Sequence, residues 1–196
     1  MLKDLLKNHR VILASGSPRR QKFFADMELD FEIQLKEVEE IYPETLQHIE
    51  IPVFLAELKA KAFGGTLQTN DILITSDTIV WHQNQALGKP KSLAEAKEMI
   101  RSMSGKTHEV LTAACFTTPT TQIVKHHTTK VTFAALTDAE INYYVNTYKP
   151  LDKAGAYGIQ EWIGLIGITS ITGSYNNVVG LPTHLVYETL MELIKS

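Results

Sequence analysis

Apolar positions in this chain alternate between short continuous runs and stretches spaced to cover one face of a helix, which predicts a mixed α/β fold. Arg10 to Ser15 reads as a first strand, Pro18 to Met27 as a helix, and Phe31 to Lys36 as a second strand. Pro52 can open a helix that runs to Phe63 and is closed by Gly64-Gly65, with Leu55, Leu58 and Ala62 on one side and Lys59 at the edge of that face. Asp71-Ile72-Leu73-Ile74-Thr75-Ser76 is a buried-strand pattern that delivers Asp77 to its C-terminal end, where α/β sheets keep their ligands. Two capping boxes announce helices: Ser92 with Glu95 precedes Leu93, Ala96, Ile100 and Met103, and Thr137 with Glu140 precedes Ile141, Tyr144, Val145 and Tyr148. Between them, Thr107–Phe116 and Gln122–Ala134 read as strands joined by a turn at Thr118-Pro119-Thr120. The glycine-rich stretch from Asp152 to Gly180 predicts loop and short strands before a final helix from Pro182 to Ile194. No repeat, low-complexity tract or linker interrupts the series, so the expectation is one domain over residues 1–196.

Composition narrows the function classes. The 196 residues are 44% hydrophobic and 21% charged, ordinary values that allow a sizeable core. The single cysteine, Cys115, sits in the apolar run Ala113-Ala114-Cys115-Phe116, so disulfides and thiolate metal sites are excluded and it reads as core filler. Met1-Leu2-Lys3-Asp4-Leu5-Leu6-Lys7 carries charges where a signal peptide needs a continuous apolar segment, and no run reaches membrane-spanning length, so a cytoplasmic protein without a membrane partner is expected. A net charge of −3 argues against a broad nucleic-acid-binding face but leaves room for a compact cationic pocket.

Leu13-Ala14-Ser15-Gly16-Ser17-Pro18-Arg19-Arg20 points to such a pocket, because it places two arginines in the first turn of a helix. Unpaired N–H groups and the macrodipole already make that end positive, so each cation there is unfavourable by roughly 0.3–1 kcal/mol unless an anion offsets it. Ser15 and Ser17 offer hydroxyls, Gly16 lets backbone approach closely, and Pro18 suits the first helical position, which together describe a phosphate cradle. The motif alone equally describes a serine-capped helix with two surface arginines. Asp77 alone also suits a turn residue capping N–H groups, Lys59 a snorkelling helix flank, and Lys89 a turn lysine between Gly88 and Pro90.

LASGSPRR is followed by SDT at Ser76–Thr78, LGKP at Leu87–Pro90, SGKTHEV at Ser104–Val110, DKAGAYGIQ at Asp152–Gln160 and GSYNNVVGLP at Gly173–Pro182. In this order the segments resemble the Maf family of nucleoside triphosphate pyrophosphatases, from about Val11 to Leu193. The resemblance implies an α/β fold related to inosine triphosphate pyrophosphatase, with a curved mixed sheet flanked by helices and two lobes around a central cleft. It also implies a divalent cation, Mg²⁺ or Mn²⁺, a homodimer, and release of a nucleoside monophosphate and pyrophosphate. Carried over position by position, it puts phosphate binding on Ser15, Arg19, Arg20, Lys59 and Lys89, makes Asp77 the general base, and adds Glu40 as a second active-site acid. Fixed cations suit a triphosphate of roughly four negative charges whose cleavage shifts more charge onto the departing pyrophosphate. One carboxylate can deprotonate water while another helps hold the metal, and the choice between Glu40 and Asp77 as ligand stays open. Glu40 shares an acidic stretch with Glu37, Glu39 and Glu44, which also suits a solvated loop.

The family's dTTP- and UTP-acting subgroup is associated with the first arginine of SPRR, the residue after the catalytic aspartate, and the glutamine of GIQ. Here these are Arg19, Thr78 and Gln160. An amide such as Gln160 can donate and accept together, which suits a pyrimidine imide edge, although it also suits a loop amide satisfying backbone. Lys106 stands where many family members have arginine, preserving charge but weakening a forked contact, and Trp162 with Ile163-Gly164-Leu165-Ile166 makes the region after Gln160 bulky. Tyr157 and Trp162 could stack on a base or simply pack. His126-His127, with His108 and His184, lacks metal-ligand spacing, and Ser174 has no identifiable His/Asp orienter for a nucleophile. The resulting expectation is a dTTP/UTP pyrophosphatase. The alternative is a nucleotide-binding regulator of cell division without significant turnover, since the family name derives from septum formation.

Overall fold

A computed structural model describes residues 1–195. A short helix α1 (Leu2–Leu5) precedes strand β1 (Arg10–Leu13), helix α2 (Pro18–Asp26), strand β2 (Glu32–Ile33) and helix α3 (Glu50–Lys61). Strands β3 (Asp71–His82) and β4 (Gln85–Leu87), helix α4 (Leu93–Met103), strands β5 (Thr107–Thr117) and β6 (Gln122–Phe133) and helix α5 (Asp138–Tyr148) follow. The chain ends with helix α6 (Trp162–Gly167), strand β7 (Ile168–Thr172) and helices α7 (Tyr175–Val179) and α8 (Thr183–Leu193). Among the described residues the strands form one mixed sheet in the order β2-β1-β3-β5-β6-β7, with β4 paired to β3. β1 runs parallel to β2 and β3, whereas β4 on β3 and β7 on β6 are antiparallel. The expected mixed sheet flanked by helices is therefore the observed architecture.

The chain divides into two compact units, one of Met1–Asp77, Thr112–His127 and Gly180–Ser196, the other of Thr78–Leu111 and Thr128–Val179. In the first unit the period-2 alternation of strand side chains sorts the core into two layers. Val11, Leu13, Ile72 and Ile74 pack with Phe24 of α2 and Val186 and Leu190 of α8, while Ile12 and Leu73 pack with Ala56 and Ala60 of α3 and Phe63 beyond it. Continued along β3, that alternation turns Thr75 toward α3, and its hydroxyl donates to the Ala56 carbonyl at 2.7 Å. Asp77, two residues on, faces the same helix. Cys115 is buried in this α3 layer, as its apolar surroundings predict. The second unit buries Val80, Val110, Val131 and Phe133 against Ala96, Ile100 and Met103 of α4 and Ile141, Tyr144 and Val145 of α5.

Several features differ from those read in the sequence. β2 is only two residues rather than Phe31–Lys36, because its parallel partner β1 ends at Leu13, opposite Ile33. α3 begins at Glu50, and Pro52 is accommodated in its first turn, where an N–H has no intrahelical acceptor. The Ser92 box is half formed. Ser92 Oγ accepts from the Glu95 N–H, but the Glu95 carboxylate accepts from Lys91 N–H, while Thr137 and Glu140 close a complete box. β3 does not stop at Ser76. Its pairing with β1 ends at Ile74, yet the strand continues to His82 and takes up β4 from Val80 onward, so Asp77 lies inside the strand just beyond its parallel portion.

Candidate active site

Asp77 is brought against α3 by the strand alternation described above, and Lys59 reaches it because Lys59 lies one turn beyond Leu55 on the helix's inward edge. The Lys59 ammonium lies 2.6 Å from Asp77 Oδ1 and 2.9 Å from Glu40 Oε1. Asp77 is 6% exposed, whereas the Glu40 side chain, on the loop that follows β2, is 44% exposed. That loop is fastened to α3 at a second point: Lys36 Nζ donates to the Ala62 carbonyl at 2.9 Å and lies 4.7 Å from the Phe63 ring centroid. Of the neighbouring glutamates, Glu40 is thus the one drawn into the cluster.

Arg20 is held in place by backbone carbonyls. Its Nε donates to the Gly180 carbonyl at 2.9 Å and its Nη1 to the Ser76 carbonyl at 3.0 Å, so the guanidinium ties α2 to β3 and to the turn before α8. Ser15 Oγ accepts from Ser17 N–H at 3.2 Å and lies 3.5 Å from Arg20 Nη1, and the Gln21 amide donates to the Ser15 carbonyl at 3.1 Å. The first turn of α2 contains no acidic side chain, and Pro18 occupies its opening position as expected. Part of the missing negative charge comes from within the protein, because Asp77 and Glu40 both act electrostatically on Arg20.

Burial pushes the Asp77 carboxyl above the ordinary carboxylate range, with Lys59 and then Arg20 pulling it back and Glu40 adding to the rise. Burial likewise lowers Arg20 from the usual guanidinium value, opposed by Asp77. Arginine remains charged throughout the neutral range, so the cluster at pH 7 contains two cations beside a carboxylate that accepts a proton more readily than an exposed aspartate.

The structure brings Ser15, Arg20, Glu40, Lys59 and Asp77 together in the first unit. Arg19, in the same turn of α2, is half-buried and adds like charge beside Arg20. Thr78 opens the second unit, which also carries Lys89 on an exposed segment after β4 and Gln160 on an exposed turn before α6. Sequence reading missed Gln21 and the carbonyls of Ser76 and Gly180. Gln21 could have been suspected from its place one residue beyond the arginine pair, but carbonyl acceptors leave no trace in residue type. His127 and His184 do approach, with ring centroids 5.0 Å apart. Even so, no group of three His, Cys, Asp or Glu side chains suited to a metal exists among the described residues.

Glu40 and Asp77 are oxygen donors of the kind that suits a hard divalent cation. Two carboxylates that meet the same ammonium are close enough to share one ion, and small divalent cations often use one or two carboxylates plus phosphate oxygens and water.

Residues 10–193 match the family described as Maf-like protein. The chain belongs to the Maf family. It is 62% identical over 99% of its length to a dTTP/UTP pyrophosphatase of Flavobacterium johnsoniae, which is covered in full. It is also 59% identical over its whole length to a protein of the same name from Christiangramia forsetii, again covered in full. Among solved structures, a dITP/XTP pyrophosphatase of Mycobacterium abscessus is similar at 12% identity and a TM-score of 0.47, over 95% of this chain and 96% of that one. Within the Maf family match fall all of the residues assembled around Asp77. No helix among the described residues is long and apolar enough to cross a membrane.

Proposed function

We propose that this chain hydrolyses dTTP and UTP to the nucleoside monophosphate and pyrophosphate, the activity for which its Maf relatives are named. The observation that carries the chemistry is the contact between buried Asp77 and Lys59, with Glu40 on the same ammonium. Asp77 Oδ1 meets Lys59, which leaves Oδ2 to take a proton from water as the water oxygen attacks the α-phosphorus. The bond from that phosphorus to the bridging oxygen breaks, and pyrophosphate departs with the electron pair. A base whose affinity for protons is raised by burial is better matched to neutral pH than an ordinary aspartate.

An ammonium has three N–H donors, and two of those on Lys59 face carboxylates, so the third can meet a phosphate oxygen. Ser15, Arg19 and Lys89 complete the proposed phosphate contacts. Arg20 contributes positive potential from its fixed position between two carbonyls. Glu40 or Asp77 would hold the divalent cation, which when bound would neutralise charge on the phosphates. Arg19, Thr78 and Gln160 are the proposed selectivity residues, and a cytoplasmic homodimer is the proposed setting.

Pyrophosphate release measured with UTP, dTTP, CTP and GTP in Mg²⁺ or Mn²⁺ tests the activity. UTP and dTTP should be preferred, and Asp77→Asn should lower kcat by about 10²–10⁴ while nucleotide still binds. Wild-type protein that binds UTP without releasing pyrophosphate would support the regulatory alternative instead.

A further inference from the structure

Gln160 stands on a tight turn in which Glu161 N–H donates to the Gly158 carbonyl at 3.0 Å, leaving Ile159 and Gln160 at the two central positions. Both ends of this turn meet one atom. The Tyr144 hydroxyl accepts from Gly158 N–H at 3.0 Å and donates to Glu161 Oε2. The other Glu161 oxygen pairs with Lys153 Nζ at 3.1 Å, and Lys153 also holds Asp152 at 2.7 Å. The anchor is firm at its base, since Tyr144 is fully buried on α5 and its ring stacks on Tyr148 at 5.1 Å. The packing is equally exacting around the turn. A Cβ on Gly158 would stand 2.9 Å from the Glu161 carboxylate, and one on Gly164 would stand 1.8 Å from the Ile159 carbonyl, so α6 abuts the turn from the far side.

We propose that Tyr144 is a positioning residue for substrate selection, its hydroxyl bridging the two ends of the Gly158–Glu161 turn and so fixing where Gln160 is presented. The inference rests on the reading of Gln160 as a selectivity residue. A phenol suits the task because it accepts one bond and donates one, and both are used here. An exposed amide on an untethered turn would sample many orientations and lose its power to tell an imide edge from an amino-bearing one. The tether removes that freedom before substrate arrives.

The experiment compares kcat/KM for UTP with that for CTP in wild type, Gln160→Ala, Tyr144→Phe and Gly158→Ala. Tyr144→Phe deletes the bridge and keeps the ring, whereas Gly158→Ala crowds the Glu161 carboxylate at 2.9 Å and Lys153 Cε at 3.0 Å while the Tyr144 side chain itself is retained. Both should lower the UTP-to-CTP ratio in the same direction as Gln160→Ala, by about tenfold, carried mainly by KM for UTP. Partial unfolding would reduce both substrates equally and leave the ratio alone, so the ratio separates positioning from simple support of the fold. An unchanged ratio in folded Tyr144→Phe or Gly158→Ala, with Gln160→Ala altered, overturns the bridge while the role of Gln160 survives. An unchanged ratio in Gln160→Ala overturns both.

Discussion

Replacing Arg20 by lysine separates its work as a clamp from any work as a phosphate ligand. The guanidinium bonds two carbonyls at once, Gly180 at 2.9 Å and Ser76 at 3.0 Å, from two differently directed N–H groups. Lysine keeps the charge near Asp77 but ends in a single point that cannot span both acceptors. One hydrogen bond from a charged donor contributes roughly 1.5–3 kcal/mol, and because Arg20 is only partly screened from solvent the loss should fall to about 1–2 kcal/mol. For a chain of this size that corresponds to about 3–6 °C in Tm. Thermal or urea unfolding of Arg20→Lys, together with KM for UTP, provides the assay. A lowered Tm with a KM close to wild type is expected. A wild-type Tm combined with a strongly raised KM would refute the reasoning, because the arginine would then act on substrate and not on the carbonyls.

Other consequences concern pH and packing. Only ionised Asp77 can take a proton, so kcat/KM should fall on the acid side at a pH above the ordinary carboxylate range, and a limb at the usual aspartate value would contradict burial as the dominant influence. The same raised affinity means that the stability Asp77 contributes is present at low pH and lost as pH rises through its folded value, so Asp77→Asn should gain on wild type in Tm between acid and neutral pH. In the second unit His108, which hydrogen-bonds Tyr157 at 2.7 Å, is held by burial and by nearby His82 down to about 3, against an ordinary 6.5. Its depressed value contributes stability above pH 6.5 that is lost as pH falls toward 3, on the order of 4–5 kcal/mol. Urea midpoints over this range should be flatter for His108→Phe, and parallel slopes would exclude the histidine. Gly155 has φ +68° and a Cβ there would lie 2.7 Å from Val80, so Gly155→Ala should lower Tm, and a neutral result would show that β3 yields at Val80.

How far the site could be read in advance depended on how local each feature is. The Thr137 box, Pro18 at the head of α2 and the hairpin turn at Thr118 to Thr121 emerged as expected because neighbours within a few residues satisfy them. The meeting of Lys59 and Asp77 was half legible: helical spacing put Lys59 at an inward edge, and strand pattern put Asp77 near a ligand end. What the strand pattern could not reveal was that β3 runs on to His82, since the residues after Asp77 are held by β4 and by the packing of the second unit. The stretch from Asp152 to Gly180 contains the expected short strand in β7 but hid helix α6, because Gly164 and Gly167 weaken any helical signal, although Gly164 is needed where Ile159 O comes close.

Sequence by itself determined the alternating α/β elements, the chemical inventory and its family, because periodicity, capping and ordered motifs are properties of the chain in one dimension. Tertiary structure decided which charges those residues meet. Arg20 finds its acceptors 56 and 160 residues away, and Lys59 finds Asp77 18 residues on. Carbonyl acceptors belong to every residue alike, and burial depends on what the fold stacks above a side chain. Consequently the clamping of Arg20 between two carbonyls, and the rise of Asp77 above an ordinary aspartate, exist only once distant segments are packed together.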